Sequence, residues 1–264
     1  MLLGCDSSSI TTAQANRPAA ALPNSFADNQ LANLLLTANK DSSNGVQTHL
    51  IDTDQDTLLL LEFDSEVIEP VLVAQPNTGI SARQAMAEYE LIAVVGSGFV
   101  SELESLTPVG LLQREGKTLS PVLGHGYTRI LGINDNGLGV VHRNAFESKL
   151  FHSAIQVGPG IIEEGLLDIS ARDLQRPMYF RSFIMLCEDR WLAGVSLKPT
   201  HLRTLGKALL AFFAEQQWQC SDVVNLAGDR QALLMLADGT STTFFHGDPQ
   251  VSKVSLIGFK YRKR

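Results

Sequence analysis

The sequence predicts an α+β fold, in which a mixed, largely antiparallel sheet packs against a few helices in a single domain. Short apolar segments bounded by turn residues recur along the chain, which is typical of strands. Only a few segments place apolar residues at helical spacing, and no regular βαβ alternation is present. The 264 residues, 44% of them hydrophobic, are enough to bury one sizeable core.

The first part of the chain is predicted to contain a helix, a hairpin, a further strand and a second helix. Asn24 is placed to cap a helix that ends near Asn39, and Ser81 is placed to cap the second helix. The strand that follows the second helix ends at a glycine-rich turn. The strand-like segments of this part are residues 46–52, 57–63, 67–74 and 91–95.

Three hairpins and a third helix are predicted in the remainder. The Asn and Asp residues at Asn134–Gly137 form a turn, because they lack the twelve-residue ligand spacing of a calcium loop. Thr200 is placed to cap a helix that ends near Gln217 and carries leucines at helical spacing. The hairpins join residues 111–113 to 117–119, 129–131 to 138–140, and 181–186 to 190–197; the closing strands are 223–226, 231–236 and 252–259.

Charge and composition exclude several classes of function. A formal net charge of -7 argues against a nucleic-acid partner, and the basic residues at 260–264 are interpreted as a short solvated terminus. No segment reaches the ~18 consecutive apolar residues of a membrane-spanning helix. The histidines are scattered, with no i,i+4 pair, so we expect neither a metal nor another cofactor.

The N-terminus resembles a bacterial lipoprotein. Leu2-Leu3-Gly4-Cys5 is similar to a lipobox, and the small polar residues after it are typical of a flexible tether. We therefore interpret residues 1–23 as a lipoprotein-like segment and residues 24–264 as the folded domain. Lipid on Cys5 would anchor the protein to the membrane, on the periplasmic side of the cell envelope. A chance match is the alternative, since four-residue matches are common and a secretory signal needs more than the four residues that precede Cys5.

The two remaining cysteines, Cys187 and Cys220, do not belong to a CxxC pattern. An oxidising compartment would permit a disulfide bond between them. Two buried thiols are equally compatible with the sequence, because a free cysteine behaves as a small core residue.

Four segments resemble the motifs of a known family. They are Val95–Val100, Pro108–Leu112 with Glu115–Lys117, Ala154–Pro159, and Asn225–Gly228. Their order and spacing are similar to those of the phosphodiester glycosidase family, the domain type of the uncovering enzyme that removes N-acetylglucosamine from a phosphodiester. The resemblance covers about residues 40–262 and implies a carbohydrate or sugar-phosphate ligand.

Two positions depart from the family's motifs. Gly96 replaces an asparagine, and Ala227 replaces an aspartate that would stand at the end of a strand. Asp229 has the missing chemistry and would lie on the same face of an extended chain, although displaced by roughly 6–7 Å. The sequence therefore predicts either an enzyme that uses Asp229 as its carboxylate or a catalytically inactive binding or scaffold protein on the same fold.

Arg181 and Asp229 are the candidate catalytic residues. The planar guanidinium of Arg181 suits a phosphate; the alternative is an ion pair with Glu188 or Asp189 across the turn. Gln156 is either a hydrogen-bonded core group or a ligand contact, and the resemblance favours contact. The remaining candidates, which would bind substrate or line its pocket, are Ser97, Gly98, Gly158, Pro159, Asn225 and Gly228.

Overall fold

A computed structural model describes residues 45–101, 105–238 and 241–263. The strands are β1 (Val46–Asp52), β2 (Thr57–Asp64), β3 (Ile68–Ala74), β4 (Ala93–Ser97), β5 (Leu112–Arg114), β6 (Lys117–Ser120), β7 (Arg129–Asn134), β8 (Gly137–His142), β9 (Ser153–Val157), β10 (Gly160–Glu163), β11 (Leu166–Leu167), β12 (Arg181–Cys187), β13 (Arg190–Ser196), β14 (Cys220–Gly228), β15 (Leu234–Asp238), β16 (Ser241–His246) and β17 (Ser255–Tyr261). The helices are α1 (Ala82–Tyr89) and α2 (Leu202–Gln216), and short 3-10 turns include Ala171–Gln175 and Asp229–Gln231.

The strands form three sheets, and the strand pairs within the described residues are antiparallel. Sheet I has the order β1-β2-β13-β12-β14-β10-β11, sheet II the order β16-β15-β4-β17-β3, and sheet III the order β6-β5-β9-β7-β8. With α1 and α2 packed against sheets II and I, the predicted α+β class is confirmed.

The four consecutive leucines of β2 show how the layers are arranged. Leu59 and Leu61 belong to the core that sheet I shares with sheets II and III. Leu58 and Leu60 point to the other face, where they pack with residues of α2. All four are fully buried, because side chains alternate along a strand and both faces of sheet I are covered here.

Sheets I and II are joined by both apolar and polar contacts. The rings of Phe63 in β2 and Phe259 in β17 stack with their centroids 3.8 Å apart. The Ser182 hydroxyl of β12 donates a hydrogen bond of 2.8 Å to the carbonyl oxygen of Gly96 in β4. The end of β4 is therefore held against the end of β12, where the candidate site lies.

Most local predictions are confirmed. The three hairpins form, and Ser81 caps α1 by accepting a hydrogen bond from the amide of Gln84. The prediction for Thr200 was wrong by one position: His201 is the N-cap of α2, and the Thr200 hydroxyl donates instead to the buried carboxylate of Asp56. The predicted helix at 24–39 and the tether with Cys5 lie outside the described residues.

Cys187 and Cys220 form a disulfide bond. They face each other on the neighbouring strands β12 and β14, which puts the two thiols within bonding distance. The structure thus decides between the two alternatives that the sequence left open.

In the part of the chain that the structure describes, no helix is long and apolar enough to cross a membrane.

Candidate functional site

The glycine-rich end of β4 is buried. Ser97 has no exposed surface, and its hydroxyl donates to the Ser255 hydroxyl at 3.3 Å. Gly98 has a φ of +81°, and a Cβ atom there would lie 2.3 Å from Ser255 Oγ. The expectation that Ser97 and Gly98 line an open pocket is therefore wrong, because both are packed against β17.

Gln156 in β9 has an internal role. Its Oε1 accepts hydrogen bonds from the amides of Leu111 and Leu123, and its Nε2 donates to the carbonyls of Leu123 and Tyr127. The residue is fully buried, and both amide groups are already used. Gln156 therefore holds the loops around it in place, which corrects the expectation of a ligand contact.

Asn225 and Gly158 also bind each other. The Asn225 side chain donates to the Gly158 carbonyl at 3.0 Å, and the Gly158 amide donates to the Asn225 carbonyl at 2.9 Å. The Gly158–Pro159 peptide is cis, and Asn225 and Gly158 are buried. These motif residues join β9 to β14 inside the protein, and among them the Asn225 Oδ1 has no hydrogen-bond partner.

The two departures from the family's motifs, Gly96 and Ala227, lie beside one element. The turn Asp229–Gln231 lies directly on β4, so a Cβ atom at Gly96 would be 2.1 Å from the Gln231 carbonyl oxygen. An asparagine at position 96 cannot occupy that space with the turn in its present place. Ala227 is fully buried just before the turn, so it offers nothing to a ligand.

Arg181 begins β12 and faces Gly228 on β14. A Cβ atom at Gly228 would lie 3.4 Å from Nη1, an ordinary van der Waals contact, so the guanidinium packs beside this glycine. The group also lies 4.9 Å from the centre of the Tyr179 ring. Asp189 pairs with Arg190 instead, so the alternative ion pair across the turn does not form.

The half-buried Arg181 guanidinium has no matched carboxylate among the described residues. Within the described residues, no acidic oxygen lies within 4.0 Å of it, and its Nε has no hydrogen-bond partner. Burial lowers the pKa of Arg181, and the more distant charges of Asp173 and Asp229 partly oppose this. A partly desolvated cation of this kind is stabilised when an anion binds to it.

Asp229 directly follows Gly228, the residue that pairs with Arg181 across sheet I, and its backbone φ is +47°. Its amide donates to the Phe180 carbonyl at 3.0 Å, while its side chain is exposed. Desolvation raises the pKa of the Asp229 carboxyl above its ordinary value, and the charge of Arg181 opposes that rise. The structure thus brings the two candidate catalytic residues to the same end of sheet I.

Asp229 opens onto a cleft of about 430 Å³ between its own turn and the loop of residues 247–252. The cleft is lined by Asp229, Arg230, Gln231, Gly247, Asp248, Val251 and Ser252, and Arg181 lies outside this lining. Among the described residues, no three His, Cys, Asp or Glu side chains are grouped as metal ligands would be.

Sequence reasoning missed two titratable groups behind this cleft. Lys253 is fully buried, and its Nζ donates to the Arg230 carbonyl at 2.9 Å. Burial lowers its pKa to about 8, against the opposing charge of Asp248. His246 packs on Phe180, and burial together with the charge of Lys253 lowers its pKa to about 4. Their burial depends on tertiary packing, which the local sequence does not reveal.

The fold is similar to that of a characterised catalytic domain. The structure matches the catalytic domain of zebrafish N-acetylglucosamine-1-phosphodiester alpha-N-acetylglucosaminidase, described as auto-inhibited by its pro-peptide, with a TM-score of 0.63. The match covers 86% of this chain and 87% of that chain at 12% sequence identity. At this identity the similarity establishes a common fold, the fold that the motif resemblance implied.

Two bacterial structures have the same general fold. A hypothetical protein from Synechocystis gives a TM-score of 0.55 at 10% identity, covering 82% of this chain and 62% of that chain. A proposed exported protein from Burkholderia pseudomallei gives 0.53 at 10% identity, covering 78% and 74%. No protein-family model and no curated protein sequence matches the chain.

Proposed function

We propose that this chain is a divergent phosphodiester glycosidase-like protein that binds a carbohydrate phosphodiester. Arg181 holds the phosphate, and Asp229 is the carboxylate that acts on the glycosidic bond. The observation that carries the proposal is the half-buried guanidinium of Arg181, which has no carboxylate partner among the described residues and lies beside Asp229. The fold shared with a phosphodiester glycosidase domain supports a ligand of this class.

An anion bound at Arg181 would offset the cost of desolvating its guanidinium. The guanidinium offers several N–H donors in one plane, and its Nε–H has no acceptor. A phosphodiester bound at the two Nη nitrogens would supply the missing negative charge.

Asp229 is suited to a proton transfer. Desolvation raises the pKa of its carboxyl, which favours the protonated form that a general acid needs, while the charge of Arg181 opposes that rise. In the proposed reaction the Asp229 carboxyl gives its proton to the leaving phosphate oxygen as the bond from that oxygen to the anomeric carbon breaks. Water supplies the hydroxyl that the anomeric carbon gains and returns its other proton to the Asp229 carboxylate, so the products are a free sugar and a phosphomonoester.

A second candidate function is favoured by a different observation. The Asp229–Gln231 turn occupies the space over Gly96, and Arg181 lies outside the cleft lining. That arrangement favours a binding or scaffold protein that has lost catalysis and kept the anion site. Both candidates require Arg181 for binding. They differ in turnover, which only the glycosidase would show.

We also propose that the protein works in the bacterial cell envelope, on the periplasmic side, anchored by lipid on Cys5. The Cys187–Cys220 disulfide supports an oxidising compartment. The fold shared with a proposed exported protein agrees with this. Metabolic labelling with palmitate tests the anchor: wild type should incorporate label into the membrane fraction, and Cys5→Ser should not. The start of the folded domain at residue 24 stays a prediction.

The test of function combines binding and turnover with a panel of sugar-1-phosphodiesters. Arg181→Ala should weaken binding at least about tenfold, the effect expected when a charged hydrogen bond is lost. Arg83→Ala, an exposed arginine on α1, removes the same charge and should change nothing. Turnover that disappears in Asp229→Asn supports the glycosidase, and Arg181-dependent binding without turnover supports the scaffold. A folded protein that neither binds nor hydrolyses the panel contradicts both.

A further inference from the structure

The loop between β11 and β12 is exposed along nearly all of its length. Nine of the ten residues in Ser170–Tyr179 are exposed, and the exception is Asp173. The Asp173 carboxylate accepts a hydrogen bond of 2.9 Å from the Arg203 amide in the first turn of α2. At the end of the loop, the backbone of Tyr179 pairs with that of Thr200. The 170–179 loop is therefore fixed against α2, while its other side chains face solvent.

The exposed side chains of this loop combine apolar and cationic groups. Leu174 is 48% exposed and Met178 is 56% exposed. Arg172 and Arg176 alternate with them in the sequence, and both are exposed. A single exposed leucine is ordinary on a protein surface. Two large apolar side chains between arginines on one solvent-facing loop are instead typical of a surface that binds a partner.

Helix α2 extends the positive charge of the loop. The Arg203 guanidinium donates a hydrogen bond to the Ile169 carbonyl, just before the loop. Lys207 follows Arg203 by four residues, so the two lie on the same face of α2, and Lys207 is exposed. Within the described residues, no carboxylate oxygen lies within 4.0 Å of a side-chain nitrogen of these two cations or of the two loop arginines. Four unpaired cations therefore lie together on a chain whose net charge is -7.

The hairpin β10–β11, which precedes the loop, has the opposite charge. Glu163 and Glu164 lie in this hairpin, and Asp168 follows it directly. Arg129 pairs with Glu163 and Asp168, which leaves the group with a net negative charge. An anionic partner would be repelled by the hairpin and attracted by the loop, so its contact would be confined to the loop and the start of α2.

We infer that the 170–179 loop, together with Arg203 and Lys207, is a docking surface for an anionic lipid bilayer. Leu174 and Met178 would insert between the headgroups, and the four cations would contact lipid phosphates. Burial of apolar side chains and attraction to anionic lipids are the two contributions that hold a peripheral protein at a membrane surface. A bilayer fits better than an acidic protein, because a deformable surface receives two projecting side chains without a matching cavity.

The docking surface lies beside the proposed anion site and does not include it. The half-buried guanidinium of Arg181 lies over the Tyr179 ring, and the charge of Arg176 acts on it. Because phospholipid headgroups are themselves phosphodiesters, a test must separate the loop from Arg181. The inference goes beyond the proposed function, since the loop needs neither a sugar at Arg181 nor lipid on Cys5 to bind a membrane.

Cosedimentation with vesicles measures the docking. The purified full chain carries Cys5→Ser, so that no covalent lipid contributes to binding. We expect it to bind vesicles of equal parts phosphatidylglycerol and phosphatidylcholine, and not vesicles of phosphatidylcholine alone. The double variant Arg172→Ala/Arg176→Ala should bind the mixed vesicles about 25-fold more weakly, because each cation near an anionic surface contributes about fivefold in affinity.

Two controls separate the loop from net charge and from the anion site. Arg83→Ala/Lys117→Ala removes the same charge from exposed positions on α1 and β6, and it should bind the mixed vesicles like the parent chain. Arg181→Ala should also bind them within about twofold of the parent chain, because its guanidinium is half-buried behind Tyr179 and contributes little at the surface.

Tryptophan quenching tests the insertion of the apolar side chains. Brominated lipids quench a tryptophan that reaches the acyl chains, so Leu174→Trp should be quenched in mixed vesicles that contain them. Leu150→Trp is the control, since Leu150 is an exposed apolar residue between β8 and β9 and should stay in water. Met178→Ser should weaken vesicle binding about tenfold, because its side chain no longer inserts.

Four results would overturn the inference. They are no binding to either kind of vesicle, equal binding by the two double variants, equal quenching of Leu174→Trp and Leu150→Trp, and loss of vesicle binding in Arg181→Ala alone, which would place the headgroup at the proposed anion site. Soluble polyglutamate that binds as tightly as the mixed vesicles, without quenching of Leu174→Trp, would identify a surface for an acidic protein and would also overturn it. If the loop binds vesicles as expected and sugar phosphodiesters do not bind, the docking surface stands and the proposed function fails.

Discussion

Gly96→Ala is the most direct test of how the turn Asp229–Gln231 has reshaped this site. A Cβ atom at position 96 would lie 2.1 Å from the Gln231 carbonyl oxygen, where ordinary contacts begin at 3.4 Å. The backbone of the turn must therefore move by about 1.3 Å. The same atom would also be 3.1 Å from the Leu233 amide nitrogen, so β4 and β15 are affected together.

Displacing the turn Asp229–Gln231 costs free energy, because hydrogen bonds hold it in place. The Lys253 ammonium holds the Arg230 carbonyl, and the Asp229 amide is bonded to Phe180. Overpacking in a well-ordered interior costs typically 1–3 kcal/mol, and we expect the upper end, about 3 kcal/mol, because the obstacle is backbone. In a domain of this size that loss lowers the Tm by roughly 6–12 °C.

Urea denaturation followed by circular dichroism measures the change. Gly124→Ala is the control, because a Cβ atom at Gly124 meets nothing within 4 Å and its φ is an ordinary one. We expect that variant to lie within about 0.5 kcal/mol of wild type. If Gly96→Ala is as stable as Gly124→Ala, the turn does not lie on β4, and our account of why the family's asparagine is missing is refuted.

Three further predictions concern buried charges and the disulfide. Lys253 has a pKa of about 8, below its unfolded value near 10.5, so its contribution to stability is present above pH 10.5 and is lost as the pH falls through 8. Lys253→Met should therefore be more stable than wild type at pH 7 by up to about 3 kcal/mol, with the gain shrinking toward pH 10.5; a gain that does not depend on pH would contradict the buried charge. His246 has a pKa near 4, below its ordinary value of 6.5. Its contribution to stability is therefore present above pH 6.5 and is lost as the pH falls through 4. His246→Phe should unfold less readily in acid than wild type when the unfolding of both is followed by fluorescence. Replacing Cys187 and Cys220 by serine should cost about 2–4 kcal/mol in urea denaturation, and an unchanged midpoint would mean that the bond does not constrain the unfolded chain.

Local patterns determined much of the secondary structure. The Ser81 cap, the hairpins and β1 and β2 follow from neighbouring residues, so they were predicted correctly. The sequence did not reveal β16, and it placed the cap of α2 at Thr200. The Thr200 hydroxyl binds Asp56, which is distant in sequence, and such a contact leaves no local trace.

The candidate site was predicted only in part. Arg181 and Asp229 lie together at one end of sheet I, as their places on paired strands allow. Gln156, Ser97 and Asn225 are internal instead. A polar residue on an apolar strand has the same appearance whether it binds a ligand or a buried backbone group, so only its actual partners distinguish the two.

The sequence by itself determined the fold class, the strand pairs closed by short turns, and the resemblance to a phosphodiester glycosidase. Those features depend on the alternation of side chains and on residues close together in the chain. Only the tertiary structure decided that Gly96 lies under the Gln231 carbonyl, that Lys253 is buried behind the Asp229 turn, and that a cleft opens beside it. Each of these depends on close packing between β4, the end of β14 and the loop before β17. These segments lie far apart in the sequence, so no local pattern predicts their contact.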